Sequence, residues 1–352
     1  GLAVGNLYWA QPLLSVIANY FELPTSQGSF LVTATQFGYA AGILAIVPLG
    51  DVIQRRKLLL IVMLMTIFAL IACAFSPNFF ILAASLAFLG IFTVSGQIIL
   101  PLSGDLASDE TRGKIVGIVS AGITAGILFS RLLSGIVAEI FDWRGIYIMA
   151  AILNFLMTVI IFYKLPEVPV NSKISYKNLI LSVFTSLKRF SELKWILLKQ
   201  GMIFGITFNL FWTALTFLLS GEPFNYGTFQ IGLVSLAGLT GAIFGVKLGT
   251  LQDKGLGDKG IFIFILISAL SMIFAFFSGK NIFLIILIAV IFSLAVQGVG
   301  VLCQAQLFSL SDSERSRLNT AFVVSNFLFS AVGSSLTSFL WNYGEWRAIS
   351  VG

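Results

Sequence analysis

The stretch AGITAGILFSRLLSG, residues 121–135, is an apolar run of small residues interrupted by one arginine, Arg131. In a helix surrounded by lipid, a central charge costs about 2.5–3.5 kcal/mol on insertion scales, so it has to face a wet cavity or a partner. A guanidinium stays protonated and offers a planar set of donors that suits carboxylates, phosphates or polyhydroxylated solutes and repels cations. At the helical angular step, Ser120, Thr124, Arg131 and Gly135 fall within about 60° of one another and form one polar stripe. Further stripes stand at Tyr8, Gln11 and Ser15, at Thr93 and Gln97, at Asn209, Trp212, Thr213 and Thr216, and at Gln297 and Gln304. Together they could line a cavity for a neutral polar or anionic small solute. The other reading stays open: Arg131 as a hydrogen-bond hub, and the Ser, Thr and Gln side chains as glue between helices.

The elements that must carry these residues are membrane helices. Hydrophobic residues make up 58% of the 352 positions, charged residues 10%, and the mean hydropathy is +0.99. No water-soluble core can bury that balance. Charge-poor runs of about 20 residues or more, without the alternation of barrel strands, mark spanning helices. Eleven are expected, at 1–21, 23–50, 58–76, 79–104, 115–141, 145–163, 200–221, 223–246, 260–279, 281–311 and 318–342. Of the 21 Lys and Arg, seventeen fall in one set of loops, three in the other (Arg144, Lys280, Arg347), and Arg131 alone lies inside a span. The rich side is cytoplasmic by the positive-inside rule. The net charge of +6 therefore reports topology and contact with an anionic inner leaflet, with no nucleic-acid partner.

The chain repeats itself. DETRGKIVGIVSAGITAGILFSRLLSGIVAEIFDWRG is answered by SERSRLNTAFVVSNFLFSAVGSSLTSFLWNYGEWRA, and Trp143 and Arg144 stand 203 positions before Trp346 and Arg347. A duplicated unit of six spans predicts an all-α integral membrane fold of two pseudo-symmetric six-helix bundles. The divisions are 1–163 for the first bundle, 164–194 for a cytoplasmic linker and 195–352 for the second bundle. In the linker Tyr176, Leu179, Val183, Leu187 and Phe190 recur at helical spacing, an amphipathic helix expected to lie on the inner leaflet. Because the first copy continues into a sixth span after FDWRG, the repeat predicts a twelfth span beyond this chain; span one, starting at residue 1 with no flanking charge and no methionine, is expected to be cut short, and the alternative, a genuine eleven-span protein, would break the repeat.

Two loops and one span carry a resemblance. VPLGDVIQRRK holds Asp51, Arg55, Arg56 and Lys57, and GTLQDKGLGDK answers it with Asp253 and Lys254 at the repeat distance. This pair resembles the inter-helix loop of the major facilitator superfamily, with Val47, Val52 and Gln54 as departures. The span at 115–141 is similar to the glycine-patterned fifth span of its efflux members, with Arg131 in place of the family's proline. NLYWAQPLL and FWTALTFLLSGEPF look like a bacterial branch of sugar and drug efflux permeases. The resemblance implies alternating access, an inner-side gate at the two charged loops, a central cavity lined by spans one, four, seven and ten, and export, with proton antiport as the coupling. It implies a multi-pass protein of the cell membrane, in bacteria the inner membrane, working as a monomer. Independently of family, Gly122, Gly126, Ser130 and Ser134 recur every four residues and make a ridge for close helix packing.

Other functions fit less well. The chain contains no histidine, which removes histidine-bearing zinc sites, Ser-His-Asp triads and histidine heme ligation; no metal or other cofactor is expected. Cys73 and Cys303 lie inside apolar spans as buried thiols. An intramembrane enzyme would need a nucleophile with a base or paired carboxylates, and Glu139 and Asp105 sit toward opposite ends of their spans. A non-transporting sensor on a transporter fold, and a carrier of cationic or hydrophobic drugs, are the remaining alternatives.

Overall fold

The computed structural model describes residues 1–106, 108, 111–166, 175–238, 240–241, 251, 255–278, 280–311 and 314–351. Every regular element among them is helical. The first half runs through α1 (Leu2–Gly5), a 3-10 turn at Gln11–Leu13, α2 (Leu14–Tyr20), α3 (Ser29–Ile46), α4 (Arg55–Ala74), α5 (Phe79–Phe92), α6 (Ser95–Leu106), α7 (Arg112–Phe141) and α8 (Trp143–Lys164). The second half runs through α9 (Tyr176–Arg189), α10 (Ser191–Gln200), a π-helical segment at Gly201–Thr207, α11 (Phe208–Ser220), α12 (Thr228–Val234), α13 (Gly257–Ser278), α14 (Ile282–Ser309) and α15 (Arg315–Val351). Among the described residues eight helical stretches are long and apolar enough to cross a membrane, against the eleven spans expected; those expected at 1–21, 115–141 and 223–246 are not among the eight, and part of the last lies outside the described residues.

The expected first span, 1–21, is broken between α1 and α2. Pro12 is the cause: it has no N–H to donate to the carbonyl of Tyr8, and its ring clashes with that turn. The span expected at 79–104 is likewise divided at Thr93, where the helix gives way to α6. The linker helix α9 places Leu179 and Val183 in the protein core, and its Tyr176 hydroxyl donates to the Ala45 carbonyl at 2.6 Å. Its apolar side is thus spent largely on protein, while Leu181 and Phe184 remain exposed.

The repeat is written into the backbone. Asn78 and Asn281, 203 apart, each cap a helix N-terminus through their side-chain oxygen. Asp142 (φ 89°) and Glu345 (φ 49°), also 203 apart, both take left-handed conformations just before Trp143 and Trp346. Arg144 stacks on Trp143 and Tyr20, and its counterpart Arg347 stacks on Phe276. Buried side chains form two apolar cores made almost wholly of first-half helices and two made almost wholly of second-half helices, with Phe217 crossing to join the first set. Burial of this kind between helices, with lipid as the outer solvent, is stabilised by packing and interhelical hydrogen bonds.

Candidate functional site

The break in span one is held open by polar contacts. Asn6 accepts from the Trp9 indole at 2.8 Å and donates to Thr93 at 3.0 Å, and Asn154 of α8 donates to Asn6 and to the Ala150 carbonyl. Ser134 of α7 donates to the Trp9 carbonyl. The small-residue ridge of α7 lies directly against this broken segment. A Cβ on Gly126 would fall 2.2 Å from the Gly1 carbonyl oxygen, and Gly5 meets Ser130. Gly122 faces Gly1 in the same contact. Small side chains here let two backbones touch.

That close approach sets Arg131 beside span one. Its guanidinium lies 5.2 Å from the Tyr8 ring centroid and 5.0 Å from the Trp212 ring centroid, between the two halves of the chain. Only 3% of the residue is exposed, and neither Nε nor Nη2 has a hydrogen-bond partner among the described residues. The Gln11 Oε1 and Trp212 Nε1 atoms are buried and unpartnered as well. Arg131, Gln11, Pro12, Trp212, Leu215, Thr216, Leu219, Ile231 and Ser235 line one small cavity of about 10 Å³. That is room for roughly one water, so the walls are drawn in around the charge. Among the described residues no carboxylate lines it, and the guanidinium lies against ring faces.

The remaining candidate residues go elsewhere. Asn209 accepts from Gln36 at 3.3 Å and donates to Ser330 at 2.9 Å and to the Gly205 carbonyl, so it joins α3, α11 and α15 instead of facing Arg131. Thr213, fully buried, lies outside the Arg131 cavity as well. The reason is angular. The four-residue stripe on α11 is about 100° wide, so Trp212 and Thr216 turn to the cavity and Asn209 and Thr213 to a neighbouring seam. Gln97 donates to the Tyr39 hydroxyl at 3.2 Å and lines a separate cavity of about 90 Å³ nearer the basic-loop side. Gln297 packs at Gly241, and Gln304 is exposed. Ser120 and Thr124 lie on α7, with side chains outside the described residues, as are Asp253 and Lys254.

In the first charged loop Arg55 pairs with Asp51 at 3.5 Å and donates to the Gly50 carbonyl, Arg56 donates to the Phe162 carbonyl, and Lys57 is exposed. Asp51 and Arg55 share the 90 Å³ cavity with Arg317 and Thr320 of the second half. Sequence patterns did not reveal the contact that anchors α9: Glu314, nearly buried, accepts from Ser186 at 3.0 Å and pairs with Arg189. The opposite end of the molecule, the side of the basic-poor loops, is closed by contacts between halves. Thr228 donates to the Gly135 carbonyl at 2.9 Å, and Glu139 accepts from the Phe229 backbone N–H at 3.0 Å. Ser15 bonds Ser220 at 2.7 Å, Thr33 bonds Ser335 at 3.1 Å, and Phe217 packs on Trp341. Gly135 has to be small, since a Cβ there would sit 2.4 Å from the Thr228 carbonyl oxygen.

A repeated, all-helical membrane chain with a charged, occludable cavity between its halves has the architecture of a solute carrier, not of an enzyme. The chain belongs to the Major Facilitator Superfamily, whose model matches residues 1–336. It is 34% identical over 349 residues to the uncharacterized transporter YgaY of Escherichia coli O157:H7, covering 99% of this chain and 88% of that one. It is 26% identical over 260 residues to the inner membrane transport protein YnfM of Escherichia coli K12, covering 70% of this chain and 60% of that one. Among solved structures it is similar to a POT family transporter in complex with a thioalcohol-conjugated peptide (TM-score 0.75, 14% identity, 99% and 90% coverage). It is also similar to the human organic anion transporter MFSD10 (TM-score 0.70, 17% identity, 100% and 94% coverage). The protein is a multi-pass membrane transporter of this superfamily.

Proposed function

We propose that the chain exports a small polar or anionic solute by alternating access across the bacterial inner membrane, as a monomer, with Arg131 as the centre of its substrate site. One observation carries this reading: a buried guanidinium, without a hydrogen-bond partner at Nε and Nη2 among the described residues, in a cavity whose walls come from both halves. Arg131 stands ten residues, about 15 Å, before the end of α7 and one turn below the Gly135–Thr228 contact. Separating α7 from α12 would open the cavity outward; parting the halves at the α9 side would open it inward. Export, proton antiport and the efflux branch rest on the resemblance of the α7 pattern and of NLYWAQPLL, and the inner membrane on the resemblance to YnfM.

Flux measured in proteoliposomes tests the reading. Arg131→Ala should abolish transport while the protein still inserts, and Arg131→Lys should keep the charge but lower transport roughly tenfold or more through loss of the planar fork. Normal transport by Arg131→Ala, or export chiefly of organic cations, overturns the site assignment. Flux that is unchanged once the pH gradient and the membrane potential are both collapsed overturns proton coupling alone.

A further inference from the structure

We infer that the solute carries a single carboxylate, seated side-on against the Nε–Nη2 edge of Arg131 with a third hydrogen bond from the Trp212 indole. The inference rests on the Arg131 cavity being the transport site and names what that site recognises. Nε and Nη2, two buried guanidinium nitrogens with no hydrogen-bond partner among the described residues, form one edge of the planar group. Their N–H bonds point the same way, at the spacing that a two-oxygen acceptor matches bidentately. A carboxylate has about four lone-pair sites on its two oxygens, so it can take both of these donors and a third.

The internal repeat supplies that third donor. Asn6 and Trp9 of span one recur as Asn209 and Trp212 of span seven, 203 positions on. In the first copy the pair is closed on itself, the Trp9 indole donating to Asn6. In the second copy the Asn209 oxygen is taken by Gln36, and its amide nitrogen goes to Ser330 and the Gly205 carbonyl. Trp212 Nε1 is thereby released, buried and without a partner among the described residues, and Trp212 shares the cavity wall with Arg131. Gln11, on the same wall, can present either end of its amide to the rest of the solute.

Charge limits the class further. Among the described residues Arg131 is the one charged side chain lining this cavity, and Pro12, Leu215, Leu219 and Ile231 make much of the remainder. A neutral polyol would leave the guanidinium uncompensated in a low-dielectric space, whereas a phosphate monoester or a dicarboxylate would bring a second, unmatched negative charge. One carboxylate on one guanidinium closes the balance. Because the ligand would bridge α7 to α11, its binding draws the two halves together, as occlusion requires.

The test uses the purified full chain in lipid nanodiscs and matched acid and amide probes of rising size: propionate, hexanoate and gluconate against their primary amides, with succinate and methyl phosphate added. Thermal unfolding titrations should show at least one monocarboxylate binding roughly tenfold or more tighter than its amide, succinate and methyl phosphate. Trp212→Phe should weaken that acid severalfold, and Arg131→Gln should abolish the preference. Amides binding as well as acids, a preference for succinate or methyl phosphate, or no binding by any probe overturns the carboxylate assignment and leaves the Arg131 transport site standing. An acid that binds Arg131→Gln as tightly as the unaltered chain overturns the site itself. If Arg131→Gln fails to fold, the acid-against-amide comparison and Trp212→Phe on folded protein decide.

Discussion

Arg131 illustrates how a costly residue is accommodated. Its charge is lodged between two ring faces rather than against an acid, and the indole that helps hold it also lines its cavity. The surrounding order depends on Asn6, which accepts from Trp9 and Asn154 and donates to Thr93 across the break in span one. Asn6→Leu removes these contacts and strands a buried indole N–H. Each lost membrane hydrogen bond is worth about 0.6–2 kcal/mol, so the loss of three predicts roughly 2–6 kcal/mol in stability. The check is the thermal unfolding temperature of purified protein, which should fall; an unchanged value would mean that the network does not hold the broken span.

Among the helices, the pairing of α7 with α12 is one of the contacts between halves that close the end on the basic-poor side. Gly135 permits the backbones to touch, Thr228 bonds across, and Glu139 of the first half places its carboxylate on the first-turn N–H of α12, where the helix dipole favours negative charge. This contact joins halves that must part for outward opening. Glu139→Ala should therefore shift the population toward an outward-open form. A cysteine placed at Leu219, on the cavity wall beneath the seal, should react with an impermeant thiol reagent from outside several times faster in the Glu139→Ala background. Equal rates in both backgrounds would show that Glu139 does not help to keep the outer end shut.

The molecule as a whole is two copies of one plan that are no longer used alike. Capping asparagines and left-handed turns recur at the same interval, yet one copy holds its Asn–Trp pair closed while the other spends the asparagine on α3 and α15. Such divergence is how a two-fold scaffold acquires an asymmetric site. Orientation is a property of the whole chain too, because it follows from the distribution of Lys and Arg over all the loops. Single cysteines at Asn225 and Ser172 should label from outside and from inside respectively, in intact cells and in inverted vesicles. The reverse pattern would invert the orientation and, with it, the direction assigned to export.

Sequence alone determined the membrane class, the all-helical fold, the repeat and the singularity of Arg131, because lipid penalises charge and loose backbone and so writes both constraints into composition. It also determined that Gly122, Gly126, Ser130 and Ser134 form a ridge, since that follows from helical spacing. Periodicity read the first span as continuous, although Pro12 carried the signal for its break. What only the tertiary structure decided is which member of each polar stripe faces the cavity. A stripe about 100° wide touches two neighbours, and the register of those neighbours sends Trp212 to Arg131, Asn209 to Gln36 and Gln97 to Tyr39. The same holds for Glu139 and Glu314: each is an ordinary acidic residue in the chain, and only the packing of distant helices gives it a partner.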